Sequence, residues 1–109
     1  MTVLCRLEDI PDGDARGFEV DSGSVVAVRR GETVRLYRNR CPHLGIELNF
    51  QPDVFLDREG EFIQCANHGA LFEIDSGFCV AGPCSGQYLE ALPCRIHDGE
   101  IHLATSGNA

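Results

Sequence analysis

The sequence predicts an all-β domain, a sandwich of small antiparallel sheets. Three observations carry this: β-branched runs of strand length, turn residues at short intervals, and no stretch with sustained helical periodicity. Twelve glycines and five prolines punctuate the 109 residues too often for long elements. No internal repeat, low-complexity tract or linker divides the chain, so residues 1–109 read as a single domain.

The first element in that reading is a hairpin. Val25-Val26-Ala27-Val28 and Thr33-Val34-Arg35-Leu36-Tyr37 are strand-like runs separated by Arg29 to Glu32, with Gly31 in the turn. Short apolar pieces follow, Glu61-Phe62-Ile63-Gln64 and Ala70-Leu71-Phe72-Glu73-Ile74, bounded by Asp75-Ser76-Gly77 and Gly82-Pro83. A second hairpin closes the pattern. There Leu89 to His97 and Glu100 to Leu103 flank Asp98-Gly99, a dipeptide suited to a two-residue turn because both central positions need positive φ. Residues 105–109 are expected to fray.

Composition narrows the function. The formal net charge is -8, and all of it falls after residue 40: residues 1–40 carry seven Arg against seven Asp and Glu, and 41–109 carry two Arg against ten. Nucleic acid and anionic membrane are poor partners for that surface, whereas a protein with a basic docking face would be attracted. No apolar run approaches the roughly eighteen residues needed to span a bilayer. The first residues lack a basic start followed by an apolar stretch, so the expected location is the cytoplasm. In a reducing compartment, six cysteines point to metal ligation or burial more than to structural disulfides.

The chemistry concentrates in Cys41-Pro42-His43, then twenty-one residues, then Cys65-Ala66-Asn67-His68. Two Cys/His pairs form a four-ligand set. Each pair is followed closely by a glycine, Gly45 and Gly69, which suits tight loops whose backbone can approach a metal centre. Two thiolates and two imidazoles fit zinc or a [2Fe-2S] cluster.

CPHLGIEL followed by CANHGALFEIDSGFCVAGP resembles the two cluster-binding loops of the Rieske family, over roughly residues 41–84. The resemblance implies a Rieske-type sandwich with a cluster-binding subdomain made of two ligand loops. It implies one [2Fe-2S] cluster, with Cys41 and Cys65 on the inner iron and His43 and His68 on the outer, more exposed one. Gly82-Pro83 matches the family's third loop, which covers the cluster. Zinc fingers usually pair Cys with Cys and His with His, whereas this chain alternates Cys-His and Cys-His, so zinc is the weaker alternative.

Replacing two thiolates by neutral imidazoles leaves the oxidised site less negative, which raises the potential into the Rieske range of roughly -150 to +300 mV. High-potential members of the family resemble one another in two further features. A disulfide over the cluster would need cysteines where this chain has Ile46 and Asn67. Hydroxyls bonded to sulfur would need Ser and Tyr where it has Ala70 and Phe72. The resemblance therefore implies a potential near the low end, about -150 mV.

That pattern is similar to stand-alone ferredoxins that pass single electrons from a flavin reductase to an oxygenase. The expected role is an electron carrier, a component of an oxidoreductase system and not itself an enzyme. The alternative is the small Rieske-like subunit of a nitrite reductase-type assembly. Glu47, Glu73 and Asp75, near the ligands in sequence, are candidates for an acidic docking rim. Cys5, Cys79, Cys84 and Cys94 are expected to be buried small hydrophobes, with a redox role for Cys79 and Cys84 as the sharper option. His97 and His102 are expected to be ordinary strand residues. Residues 49–60 lengthen the interval between the ligand pairs beyond that of typical oxygenase ferredoxins and are expected to extend a loop or hairpin beside the cluster.

Overall fold

Four consecutive apolar residues, Val25 to Val28, form a strand buried on both faces, and the molecule is assembled around it. The computed structural model describes residues 2–20, 23–40, 48, 55–57, 59–66 and 69–103. Its strands are β1 (Thr2–Arg6), β2 (Ala15–Val20), β3 (Gly23–Arg30), β4 (Thr33–Arg38), β5 (Phe62–Gln64), β6 (Leu71–Glu73), β7 (Cys79–Ala81), β8 (Ala91–Leu92), β9 (Cys94–His97) and β10 (Glu100–Leu103). Among the described residues the one helical piece is a 3-10 turn at Leu7–Asp9. No described helix is long and apolar enough to cross a membrane.

Three antiparallel sheets result, ordered β2-β3-β4-β8, β1-β10-β9 and β5-β6-β7. The period of two in a strand sends alternate side chains to opposite faces, which gives β3 two separate tasks. Val25 and Ala27 join Val34, Leu36, Ile10, Ile101 and Leu103 in a cluster beneath the β1-β10-β9 sheet. Val26 and Val28 join Tyr37, Ile63, Phe72 and Cys79 in a cluster beneath the β5-β6-β7 sheet. A strand enclosed on both faces has to read as an unbroken apolar run, as this one does.

Both expected hairpins form. In the first, β3 and β4 pair out to Arg30 and Thr33, so the turn narrows to Gly31 and Glu32. In the last, Asp98 and Gly99 have φ of 53° and 77°, the two positive values that a tight turn of this kind demands. One expectation needs correcting: Leu89 to His97 is not a single strand. Ala91 and Leu92 pair with β4, whereas Cys94 to His97 pair with β10. Pro93 lies between them and has no N–H to donate, so the two ladders part there.

The described end of the long interval folds back as a hairpin. Asp57 Oδ1 accepts from the N–H groups of Glu61 and Phe62 at 2.9 and 3.1 Å, and Leu56 bridges to Ile63. This seats Phe55 in the core beside Cys65. Residues 49–54 and 58, like 104–109, lie outside the described residues.

Candidate metal centre

β5 delivers Cys65 to the end of the β5-β6-β7 sheet, where it is buried among Leu48, Ala70, Phe72, Cys79 and Cys84. The chain then turns back at once. Cys65 N–H donates to Ala70 O at 2.9 Å and Gly69 N–H donates to Cys65 O at 2.8 Å, with Gly69 at φ +70°. Positive φ at that point explains the glycine after the second ligand pair. Ala66 and Gly69 are exposed, so the described ends of the loop face solvent while Cys65 faces the core.

The stretch carrying the first ligand pair is tied at both ends. Asn39, a buried polar side chain at 6% exposure, accepts a hydrogen bond on Oδ1 from Leu48 N–H at 2.8 Å. The carbonyl of Leu48 accepts from Ala66 N–H at 2.7 Å. Leu48 thus joins the end of the first stretch to the residue after Cys65. Asn39 is held in turn by Ser24, which accepts from Asn39 N–H at 3.0 Å and bonds its Nδ2 through Oγ at 3.1 Å. Sequence reasoning passed over Asn39. Its only local signal was a polar residue at the end of an apolar strand, directly before the first ligand pair.

Gly82 packs against the turn that Cys65 begins. A Cβ built on it would stand 2.7 Å from Ala70 Cα and 2.9 Å from Ala70 Cβ, closer than real atoms approach. Only glycine lets the 79–87 loop lie against the Cys65–Ala70 turn. Gly82, expected in a loop that covers the cluster, thus lies against Ala70 at the end of the turn that Cys65 begins.

Of the four sequence-predicted ligands, Cys65 is described, and Cys41, His43 and His68 lie outside the described residues, as do Gly45, Ile46, Glu47 and Asn67. The described frame fits a [2Fe-2S] cluster. It presents a buried cysteine beneath a tight turn with exposed shoulders, links Asn39 through Leu48 to Ala66, and packs Gly82 against Ala70. A cysteine ligand on the dry side of a turn whose ends reach solvent suits such a cluster.

The remaining candidates divide. Ala70 and Phe72 are fully buried beside Cys65, and neither carries a hydroxyl. Glu73 and Asp75 are exposed, with Glu73 Oε1 accepting from Ser76 Oγ at 2.7 Å. Cys79 and Cys84 are buried as expected, their sulfurs 3.2 Å apart. Cys5 and Cys94 are only partly buried, against the other cluster, where burial pushes both thiols above their usual pKa. His97 is exposed, but His102 is neither exposed nor satisfied: its Nε2 is buried without a hydrogen-bond partner, with Glu100 Oε1 at 3.5 Å.

Comparison with known proteins agrees with this geometry. The family model for the Rieske [2Fe-2S] domain matches residues 1–104. The cytochrome b6-f complex iron-sulfur subunit of Chlorobaculum tepidum is 27% identical over 93 residues, and the match covers 85% of this chain but 47% of that subunit. The chain thus spans about half the length of that relative. The ferredoxin component of the naphthalene 1,2-dioxygenase/salicylate 5-hydroxylase systems of a Ralstonia species is 26% identical, covering 89% of this chain and 88% of that one. Among solved structures, the ferredoxin of carbazole 1,9a-dioxygenase from Nocardioides aromaticivorans IC177 superposes with a TM-score of 0.77 at 26% identity. That match covers 95% of this chain and 98% of the ferredoxin.

Proposed function

The chain belongs to the Rieske [2Fe-2S] domain family and carries one [2Fe-2S] cluster, and on that premise we propose that Cys41, His43, Cys65 and His68 are its ligands and that the protein is a low-potential ferredoxin. It shuttles single electrons from a flavin reductase to an oxygenase or similar redox partner and transforms no substrate of its own. The similar Ralstonia and Nocardioides proteins, both ferredoxins of dioxygenase systems, support that partner class. The setting is cytoplasmic, where a reductase would be found.

One observation carries the low-potential reading. Ala70 and Phe72, packed with Cys65 at 0% exposure, offer no hydroxyl to a ligand or cluster sulfur. A hydrogen bond to sulfur stabilises the reduced, more negative state, so its absence lowers the potential. The cluster supplies one-electron redox chemistry when bound. Buried Cys65 would hold it on a dry side, and exposed Ala66 and Gly69 leave the same turn open to a partner. That geometry makes electron exchange with a docked protein short-range while keeping solvent from the sulfur side.

Iron and acid-labile sulfide analysis with an EPR spectrum after dithionite reduction tests the cofactor and its ligands. The expected result is two irons and two sulfides with a Rieske-type signal, and a His68→Cys protein with a lower potential or no cluster. Zinc without sulfide would overturn the ligand assignment. A redox titration is expected to give a midpoint near -150 mV, and a clearly positive value would overturn the low-potential reading.

A further inference from the structure

The 79–87 loop holds two cysteines in a closed frame. Cys79 N–H donates to Gln87 O at 2.8 Å and Gly86 N–H to Cys79 O at 3.1 Å, which fixes the first cysteine against the returning chain. Gln87 N–H donates to Cys84 O at 2.9 Å, and Ser85 N–H to Gly82 O at 3.2 Å, which fixes the second. The sulfurs meet at 3.2 Å, with Cys79 Sγ also 3.1 Å from Ala81 O. A disulfide bond is about 2 Å long, so closing it needs only about 1 Å of further approach.

We propose that Cys79 and Cys84 are a reversible dithiol–disulfide pair that clasps the loop lying on Ala70. Two buried small residues would serve packing equally well if either were Ala or Val, but neither of those would require sulfur to face sulfur. Access is short: Cys84, at 2% exposure, sits between exposed Pro83 and Ser85, so opening one turn brings its thiol to solvent. Cys5 and Cys94 lie in the other cluster and are not part of this frame.

The oxidant is a low-molecular-weight disulfide. One cysteine thiolate attacks it, releasing one small thiol and leaving a mixed disulfide, and the second cysteine then attacks that bond and expels the second small thiol. Two cysteine S–H bonds and one S–S bond are broken, while one S–S bond and two small thiols form, so protons and electrons balance. The ring that closes contains Gly82, whose backbone rests on Ala70. Oxidation therefore fixes the loop against the turn that starts at Cys65, and reduction frees it. The pair shares a core cluster with Cys65 but is not among the four proposed ligands, and it does not depend on which partner takes the electron.

The test uses the cluster-loaded protein incubated with glutathione disulfide, then denatured, alkylated and mapped by mass spectrometry. Two of the six cysteines are expected to resist alkylation, assigned to one Cys79–Cys84 bond, and dithiothreitol treatment is expected to restore both. A Cys5→Ser/Cys94→Ser protein should show the same loss of two reactive thiols, which keeps the test independent of any change to the loop. Complete alkylation after oxidation would overturn the proposal. So would protection located on other cysteines, or glutathione left singly on Cys79 or Cys84.

Discussion

The side-chain oxygen of Asn39 accepts a buried hydrogen bond from the backbone of Leu48, nine residues ahead, across the stretch that carries Cys41 and His43. Asn39→Ala removes that acceptor and leaves a buried N–H unsatisfied, at a cost of about 1–3 kcal/mol. A lower urea midpoint and faster loss of iron to a chelator are expected. If the chelator removes iron at the wild-type rate despite the lower midpoint, Asn39 supports the fold but not the site.

Tyr37 ties the β2-β3-β4-β8 sheet to the cluster sheet, β5-β6-β7, by donating its hydroxyl to Ile74 O at 2.6 Å. Burial is the main reason its pKa is pushed up to about 12, with Arg35 lowering it and Asp75 raising it further. Below pH 10 the phenol is neutral in both the folded and unfolded chain and the bond is intact. Between about pH 10 and 12 the unfolded chain loses the proton while the folded one keeps it, so stability falls with rising pH, by at most a few kcal/mol. Tyr37→Phe is expected to be about 1–2 kcal/mol less stable at neutral pH and to lose less stability between pH 10 and 12 than wild type. Urea unfolding of both proteins across that range checks the sign.

Gly82 and Gly86 separate contact from strain. Both have positive φ, 102° and 90°, but a Cβ on Gly82 meets the backbone of Ala70 whereas one on Gly86 meets nothing within 4 Å. Gly86→Ala should cost about 1–2 kcal/mol from backbone strain alone. Gly82→Ala should cost more, because a main-chain obstacle cannot rotate aside, and should alter the visible circular dichroism of the cluster. Equal losses in thermal unfolding would show that the close approach to Ala70 is relaxed in solution.

Ala70→Ser and Phe72→Tyr put hydroxyls beside Cys65. A hydrogen bond to a charged group contributes about 1.5–3 kcal/mol, and about 1.4 kcal/mol corresponds to roughly 59 mV for one electron. Each substitution is therefore expected to raise the midpoint by about 60–130 mV in a redox titration. An unchanged midpoint in both would remove the basis of the low-potential reading.

Charge gives a test of docking. With a net charge of -8 and exposed acids such as Glu73 and Asp75 on the cluster sheet, reduction by a reductase with a basic face should slow as salt rises. A rate indifferent to ionic strength would mean that the acidic surface does not steer the encounter.

The sequence and the structure agree where local chemistry decides. Asp98-Gly99 made its turn because few residues tolerate two positive φ values, and Val25 to Val28 formed a strand because no other environment wants four such residues in line. β1 and β2 were not foreseen. Thr2–Arg6 alternates too weakly, and Ala15–Val20 contains Arg16, Gly17 and Glu19, so their pairing with β10 and β3 supplies what their own pattern lacks. The Rieske family was legible in the spacing and type of the four candidate ligands. The hydrogen bonds and close packing near them were not, since Asn39, Leu48 and Gly82 act through partners far along the chain. The contact of Cys79 with Cys84 likewise depends on the frame of a turn that no dipeptide announces.

The enclosure of β3 has a consequence for exchange with solvent deuterium. Its amides pair with neighbours on both edges, and clusters cover both its faces, so fraying from a rim cannot expose them. They should be the slowest in the molecule, exchanging only when the whole domain opens. A weakness introduced near the terminal strands would then shorten the protection of the cluster sheet as well, because one strand is the floor of both.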